Sequence, residues 1–274
     1  MQTVKFSDGT AVPVLGQGTW QMGERWFRRR KEIASLRLGI DLGLTCIDTA
    51  ESYGDGGSER LVGEAIAGVR DQVFLVTKVS AFNATRSALP VSCEGSLERL
   101  GVDVIDLYLV HCRGEVPLDE TVAALGKLRA EGKIRRWGVS NFDVGDLEAL
   151  GDAKCAADQV LYHPEARGIE FDLLPWCREH HLPVMIYSPL GQAGRLLRQK
   201  VLLAIAHEHG VTAAQVSLAW GLRQPGVISI PKAAHPGHVR ANAAALNLCL
   251  TKEDFARIDA ALPPPNEKQP LIIW

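Results

Sequence analysis

Polar or ionisable side chains lie in or just after seven of the hydrophobic segments in this chain. Aspartate, lysine and histidine can exchange protons, while serine, asparagine, glutamine and tyrosine can hydrogen-bond a polar ligand. Any one of them alone has an ordinary structural explanation, such as a hydrogen-bonded core histidine or a buried Asp–Lys ion pair. Seven together predict a shared site. In chain order they are Asp48, Lys78, His111, Ser140 with Asn141, Gln159, Tyr187 with Ser188, and Lys232.

The hydrophobic segments are eight short aliphatic or β-branched runs, which are typical of buried parallel strands. Most recur at intervals of about 30 residues, the length of a strand, a crossover helix and the next strand. Apolar residues at helical spacing lie between them, as at Leu89, Cys93, Leu97 and Leu100. We place the strands at Val14–Leu15, Thr45–Ile47, Val73–Val76, Val104–Val110, Ile134–Val139, Ala157–Leu161, Pro183–Tyr187 and Val227–Ile230.

Eight such units in 274 residues predict an α/β fold, a (β/α)8 TIM barrel, with residues 1–274 as one domain. No Pro/Gly/Ser-rich linker or change of composition divides the chain, which argues against two domains. An open, doubly wound sheet is the structural alternative. In a barrel the carboxyl ends of the strands converge on one face, so the seven polar positions would surround one mouth.

Several segments depart from the repeat. Residues 3–14 predict a β-hairpin that turns at Ser7-Asp8-Gly9. An additional helix is expected over 213–222, before the last strand, and two more near 236–245 and 252–261. Pro263-Pro264-Pro265 ends the last helix and leads into a tail that finishes at Trp274.

Composition excludes several classes of protein. Lys and Arg total 30 against 32 for Asp and Glu, so the chain offers no basic surface for nucleic acid or an anionic membrane. No apolar run approaches the length of about 20 residues that a spanning helix needs, and the N-terminus lacks the apolar core of a secretion signal. The six cysteines are too widely spaced for a zinc clamp. We expect a cytoplasmic protein.

Three stretches resemble the aldo-keto reductase family. Asp48-Thr49-Ala50-Glu51-Ser52-Tyr53-Gly54, with Lys78 and His111, is similar to the family's tetrad of Asp, Tyr, Lys and His. The others are 132–142 and Ile230-Pro231-Lys232. They occur in the family's order with barrel spacing, over nearly the whole chain, and most resemble bacterial methylglyoxal-reductase-like members. The resemblance implies a monomeric NAD(P)H-dependent oxidoreductase that acts on small-molecule carbonyl substrates.

The tetrad suits proton transfer to a carbonyl oxygen. A tyrosine hydroxyl titrates near pH 10, about three units above neutrality, so its anion needs stabilisation if it is to act as an acid. We assign Tyr53 as the general acid, Lys78 as the cation that stabilises its anion, and Asp48 as the carboxylate that keeps the lysine charged. His111 would hydrogen-bond the substrate carbonyl. Seen alone, Tyr53 could equally be a loop residue that covers the core.

The resemblance implies that a nicotinamide cofactor lies across the barrel mouth. The segment Gly16-Gln17-Gly18-Thr19-Trp20-Gln21 lacks the third glycine of a Rossmann fingerprint, so no such fold is indicated. Ser140, Asn141 and Gln159 would bond the carboxamide, and Tyr187 would stack on the nicotinamide ring. Without the family context, Ser140-Asn141 is an ordinary turn. Further cofactor contacts are expected at Gly18, Thr19, Trp20, Asp48, Ser188, Leu190 and Gln192.

The adenosine end departs from the family pattern. Lys232 is the expected cation for a 2′-phosphate and Asn242 the expected amide for adenine. The family usually has serine after this lysine and arginine five positions beyond the serine; here Ala233 and His238 occupy those cofactor-binding positions. Histidine binds phosphate less firmly than the fixed fork of arginine. We expect NADPH as the cofactor, with NADH bound more weakly but by a reduced margin.

The substrate is expected to contact Trp20, Tyr53, Phe82, His111 and Cys112. An aromatic residue often follows the catalytic histidine in the family, so Cys112 predicts a different pocket wall. The long C-terminal loop of larger members looks trimmed, which favours small aldehydes, 2-oxoaldehydes, ketones or sugar-like carbonyls.

Two other functions stay open. A protein of this fold could bind the cofactor as a regulatory subunit with little turnover, although the intact tetrad favours an enzyme. A metal-dependent barrel enzyme is the second alternative. His207 and His209 point apart on a helix and His180 and His181 are adjacent, so neither pair suits a metal, and we expect none.

Overall fold

Eight parallel strands form the predicted barrel. The computed structural model describes residues 2–151 and 153–273. A hairpin of β1 (Thr3–Lys5) and β2 (Ala11–Pro13) comes first, and the barrel strands β3 to β10 then follow one another around the sheet in chain order. The barrel strands are β3 Gln17–Gly18, β4 Cys46–Asp48, β5 Phe74–Val79, β6 Ile105–Val110, β7 Ile134–Ser140, β8 Asp158–Leu161, β9 Val184–Tyr187 and β10 Val227–Ser229.

The barrel closes where its first and last strands meet. Parallel bridges join Leu15 to Ser229 and Gly18 to Lys232. The backbone N–H of Gly18 donates to Pro231 O at 3.1 Å. We call this joint the seam. It excludes the open doubly wound sheet, and it sends the chain segments that follow β3 and β10 away from the barrel side by side.

Ten α-helices in the described residues surround the barrel or follow it. The helices expected before and after the last strand are present as α8, α9 and α10. The end of the predicted tail, Trp274, lies outside the described residues. The helices are α1 Arg29–Asp41, α2 Gly57–Ile66, α3 Ala88–Leu100, α4 Leu118–Ala130, α5 Val144–Ala149, α6 Leu173–Glu179, α7 Lys200–Glu208, α8 Ala213–Gly221, α9 Pro236–Ala244 and α10 Lys252–Ala261.

The hairpin packs against the barrel interior. Its side chains Val4, Phe6 and Val12 belong to the same buried cluster as strand residues that include Leu107 and Met185. The rings of Phe6 and Phe74 lie 5.2 Å apart. Burying each such side chain contributes about 1.5–3 kcal/mol. This apolar layer fills one end of the barrel and leaves the polar residues at the other.

The first barrel strand differs from its predicted position. We expected Val14–Leu15, but the paired strand is Gln17–Gly18, while Leu15 makes only an isolated bridge. A polar residue fits there because the side-chain Nε2 of Gln17 donates to Leu36 O at 3.1 Å and to Leu44 O at 3.0 Å. A strand predicted from aliphatic runs does not include Gln17–Gly18, because its only side chain is a buried amide with its hydrogen bonds made.

Candidate active site

Strand register brings the tetrad residues to one place. Asp48 ends β4 and pairs with Val76 of β5, two residues before Lys78. Because alternate residues of a strand share a face, these three side chains point the same way, into the barrel. His111 directly follows β6, and Tyr53 lies in the turn between β4 and α2. The carboxyl ends of three neighbouring strands therefore supply the whole set.

Lys78 lies at the centre of the hydrogen-bond network. Its Nζ donates to both carboxylate oxygens of Asp48 at 2.8 Å and to Thr49 O at 2.8 Å, and it lies 3.4 Å from Tyr53 Oη. The Lys78 and Asp48 side chains are only 1% and 4% exposed. Gln159 Nε2 donates a further bond to Asp48 Oδ1 at 2.7 Å. The ammonium is thus fixed beside the tyrosine hydroxyl and shielded from water.

Burial and charge oppose each other in this network. Burial favours the neutral amine of Lys78, but Asp48 and Tyr53 together outweigh it and hold the lysine pKa above its ordinary value. For Tyr53, burial raises the pKa, the Lys78 charge lowers it, and the net direction is upward. The lysine therefore stays charged and the tyrosine stays protonated near neutral pH, which is the state a proton donor requires.

His111 faces Tyr53 edge-on across the cavity, with ring centroids 5.8 Å apart and an interplanar angle of 73°. Burial, followed by the nearby charge of Lys78, lowers the pKa of His111 to about 3. The imidazole is consequently neutral near pH 7 and can donate a hydrogen bond from one nitrogen only. Its Nδ1 lies 3.5 Å from Ser52 Oγ. Nε2 makes no hydrogen bond within the described residues and is free to bond a ligand.

The residues assigned to the carboxamide form a second network beside the tetrad. Asn141 adopts a left-handed conformation with φ +60°, which asparagine tolerates better than most residues. Its Nδ2 donates to His111 O and to Ser140 Oγ, both at 3.1 Å, and its Oδ1 accepts from Tyr187 Oη at 2.9 Å. Ser140 Oγ donates to the backbone oxygen of Gln159 at 2.7 Å. These side chains hold one another in place before any ligand binds.

Most of the predicted site residues line one cavity of 640 Å³ at the barrel mouth. Four do not appear among its described lining residues: Lys78, Phe82, Cys112 and Asn242. Lys78 is fully buried and bonds Asp48. Phe82 is 78% exposed, Cys112 is partly buried, and Asn242 is buried in α9, and the binding roles of these three stay predictions. The predicted residues in the lining are Gly18, Thr19, Trp20, Asp48, Tyr53, His111, Ser140, Asn141, Gln159, Tyr187, Ser188, Leu190, Gln192, Lys232, Ala233 and His238.

The lining also contains residues that our sequence analysis missed. Arg28, Lys31 and Glu32 lie at the start of α1, where a run of charges reads as an ordinary solvated helix end. They can be recognised as cavity residues only when it is known that α1 follows the seam. The remaining missed residues are Gln21, Pro189, Ala193, Ile230, Pro231, Ala234 and His235.

The part of the chain that the structure describes contains neither a metal-binding cluster nor a helix that could span a membrane. No three His, Cys, Asp or Glu side chains there are grouped so that they could hold a metal ion. None of its helices combines the length and apolar character needed to cross a membrane.

Known proteins resemble this chain along nearly its full length. It is 52% identical to methylglyoxal reductase YeaE of Escherichia coli (strain K12), across 98% of this chain and 97% of that one. It is 36% identical to glyoxal reductase of Bacillus subtilis (strain 168), across 94% and 92% of the two chains. An aldo/keto reductase from Klebsiella pneumoniae, crystallised with NADP and acetate, superposes with a TM-score of 0.97 at 53% identity and 99% coverage of both chains.

The family profile agrees with these similarities. The description "Aldo/keto reductase family" matches residues 14–263, which include all the barrel strands and every tetrad residue. The site agrees with this match, because a lysine lies between a buried carboxylate and a tyrosine at the barrel mouth. The chain is therefore a member of the aldo/keto reductase family and an oxidoreductase.

Proposed function

We propose that this protein reduces small aldehydes and 2-oxoaldehydes, and related ketone or sugar-like carbonyls, to alcohols with NADPH, and that Tyr53 is the general acid. The observation that carries the proposal is the position of Lys78 Nζ, 2.8 Å from both Asp48 carboxylate oxygens and 3.4 Å from Tyr53 Oη at the base of the cavity. The similarity to methylglyoxal reductase YeaE and glyoxal reductase supports the substrate class.

The cavity residues fit a nicotinamide dinucleotide. Gln159 gives its Nε2 to Asp48, whereas its Oε1 makes no hydrogen bond within the described residues and can accept from a carboxamide. The Tyr187 hydroxyl donates to Asn141, so its aromatic ring is held at the mouth and can support a second ring. Lys232 supplies a cation at the other end. Two crystal structures of similar aldo-keto reductases from Klebsiella pneumoniae contain NADP or NADPH.

The chain's own residues would control the proton. NADPH supplies the hydride when it is bound. The carbonyl oxygen then lies between the Tyr53 hydroxyl and the His111 ring, and the neutral imidazole donates a hydrogen bond that orients and polarises it. Tyr53 gives its proton to the developing alkoxide, and Lys78 stabilises the phenolate that remains. Asp48 keeps Lys78 charged throughout.

The proposal extends to four further properties. NADPH is preferred to NADH because Lys232 lines the cavity, and the ratio of the two dissociation constants measures that preference. The protein acts as a monomer, which sedimentation would test. We also propose that residues 1–274 form one domain in the cytoplasm, since the hairpin packs into the barrel interior and six unpaired cysteines suit a reducing compartment.

The test replaces Tyr53 by phenylalanine, which removes the hydroxyl and leaves the ring. We expect NADPH consumption with methylglyoxal to fall by about 10²–10⁴-fold while NADPH binding changes little. Tyr108→Phe, the same change at a core tyrosine outside the cavity lining, is the matched control and should retain most turnover. Normal turnover in Tyr53→Phe would remove the assignment. NADPH binding without turnover of any aldehyde by the wild type would favour a regulatory subunit instead.

A further inference from the structure

Three cations around the cavity lack carboxylate partners. Arg28, Lys31 and Lys232 all line it, and no ion pair forms between them and an Asp or Glu of the described residues. The contrast with Arg29 is direct, because that neighbour pairs with Glu64 at 2.7 Å. Most cationic side chains near a carboxylate gain from pairing with it, so unpaired cations that share one cavity indicate an anionic ligand.

The carboxylates of the cavity do not neutralise this charge. Asp48 is committed to Lys78 at the base. Glu32 is buried and turned towards the backbone, where its Oε2 accepts from Gly23 N at 2.9 Å. The mouth therefore presents positive charge to an entering ligand.

The seam explains why Arg28 and Lys31 lie near Lys232. Gly18 bridges to Lys232, so the segments that lead to α1 and α9 leave the barrel side by side. The two helices pack against each other. Arg28 directly precedes α1 and Lys31 lies in its first turn, and a separation of three residues places both on one helix face. Both residues line the same cavity as Lys232, His235 and His238.

The same segment lacks strong phosphate ligands of its own. The side chain of Ala233 has no hydrogen-bonding group. His235 is occupied as the cap of α9, where its Nδ1 accepts from Gly237 N at 3.1 Å, and its ring lies 5.4 Å from that of His238. Lys232 is thus the one fixed charge that this described segment directs at the cavity. A phosphate monoester dianion bound there would need further cations from elsewhere.

We propose that Arg28 and Lys31 bind the 2′-phosphate of NADPH opposite Lys232 and thereby set the preference for NADPH over NADH. This inference rests on the proposed function, because it takes the ligand of the cavity to be the dinucleotide. Arg28 offers a planar fork suited to phosphate oxygens, and Lys31 adds a point charge. The cations that bind the 2′-phosphate then come from two places, the start of the helix after the first barrel strand and the loop after the last.

The test measures dissociation constants for NADPH and NADH by quenching of tryptophan fluorescence, with no substrate present. In the Arg28→Ala/Lys31→Ala double variant we expect NADPH to bind about 10- to 100-fold more weakly, as for loss of hydrogen bonds to a charged group. NADH lacks the 2′-phosphate, so its affinity should change by less than about threefold. Retained NADH binding also shows that the variant is folded.

The matched control is Arg30→Ala, which removes an exposed charge from the same turn of α1 but from outside the cavity lining. It should leave both affinities unchanged. Raising the salt concentration should reduce the NADPH preference of the wild type more than that of the double variant. In turnover, the double variant should show a raised KM for NADPH with kcat retained, since neither residue contacts the tetrad.

Two results would overturn the inference. Equal weakening of NADPH and NADH would assign Arg28 and Lys31 to the pyrophosphate, which both cofactors carry. Unchanged binding of both would leave the two cations without a role in the cofactor site. A wild type that binds neither dinucleotide would instead refute the proposed function, so the two failures are distinguishable.

Discussion

The Asp48→Asn substitution would leave the Lys78 ammonium buried without its carboxylate. The two side chains are 4% and 1% exposed, so water cannot replace the lost charge. Removing one partner of a buried pair costs about 3–5 kcal/mol. Alternatively, the lysine can lose its proton. That costs about 1.36 kcal/mol for each unit by which the pH lies below its ordinary pKa near 10.4, or about 4.6 kcal/mol at about pH 7. We therefore expect the free energy of unfolding to fall by about 3–5 kcal/mol.

Urea unfolding at two pH values tests the physical cause. If folded Asp48→Asn holds a neutral Lys78, its unfolded state binds one proton more than its folded state. Its stability should then rise by up to about 1.4 kcal/mol per pH unit between about pH 7 and pH 9, relative to the wild type. The Asp48→Asn/Lys78→Met double variant removes both charges and should recover most of the lost stability. Both variants should lose about 100-fold or more in turnover, because the Tyr53 anion is no longer stabilised.

Unchanged stability in Asp48→Asn would refute the reasoning, since a buried ammonium cannot lose its counter-charge without cost. A stability loss that persists undiminished at the higher pH would also contradict it. If the double variant were as unstable as the single one, packing and the Gln159 bond to Asp48 would be responsible instead of charge.

Three further predictions concern pH and the seam. Because the pKa of Tyr53 lies above its ordinary value, ionisation of Tyr53 should not slow carbonyl reduction up to about pH 9. Alcohol oxidation needs the phenolate, so its rate should increase as pH rises. Parallel pH profiles of the two directions check this. The pKa of His111 is about 3 when folded and near 6.5 when unfolded, so its contribution to stability is complete above about pH 6.5 and declines by up to about 1.4 kcal/mol per unit towards pH 3. Acid unfolding should accordingly be shallower in His111→Gln. A Cβ at Gly18 would lie 2.7 Å from Ile230 O, so Gly18→Ala should lower the unfolding free energy by about 1–3 kcal/mol in urea, whereas Gly126→Ala, where a Cβ meets nothing within 4 Å, should not.

The barrel and its polar mouth were predictable from the sequence because apolar runs recur about every 30 residues and polar residues lie at their ends. Buried parallel strands are continuous apolar runs, and the residue that breaks each run marks a carboxyl end. Asp48, Lys78 and His111 could be placed together on that basis before any contact was known. The Gln17–Gly18 strand could not, because its side chain is polar and becomes favourable only through carbonyl oxygens of α1 and the chain after it.

Other features depend on tertiary structure. Neighbourhood along the chain does not fix where a side chain points, which is why Cys112 lies next to His111 and yet outside the described cavity lining. Arg28 and Lys31 became visible only through the packing of α1 on α9. The direction of the Tyr53 pKa shift also required the structure, because burial and the Lys78 charge act in opposite directions and only their environment decides which is larger.

The seam joins the barrel through few hydrogen bonds. On one side β3 pairs with β4 at Gln17 and Gly18 alone, and on the other it meets the β10 segment through isolated bridges. Transient opening of the barrel should therefore start here, and its amides should exchange with solvent sooner than those of β5 and β6. Residues on both sides, Trp20 and Lys232, line the cavity. A ligand that spans them would link the two sides of this joint, so that filling the cavity and keeping the barrel closed become one coupled equilibrium.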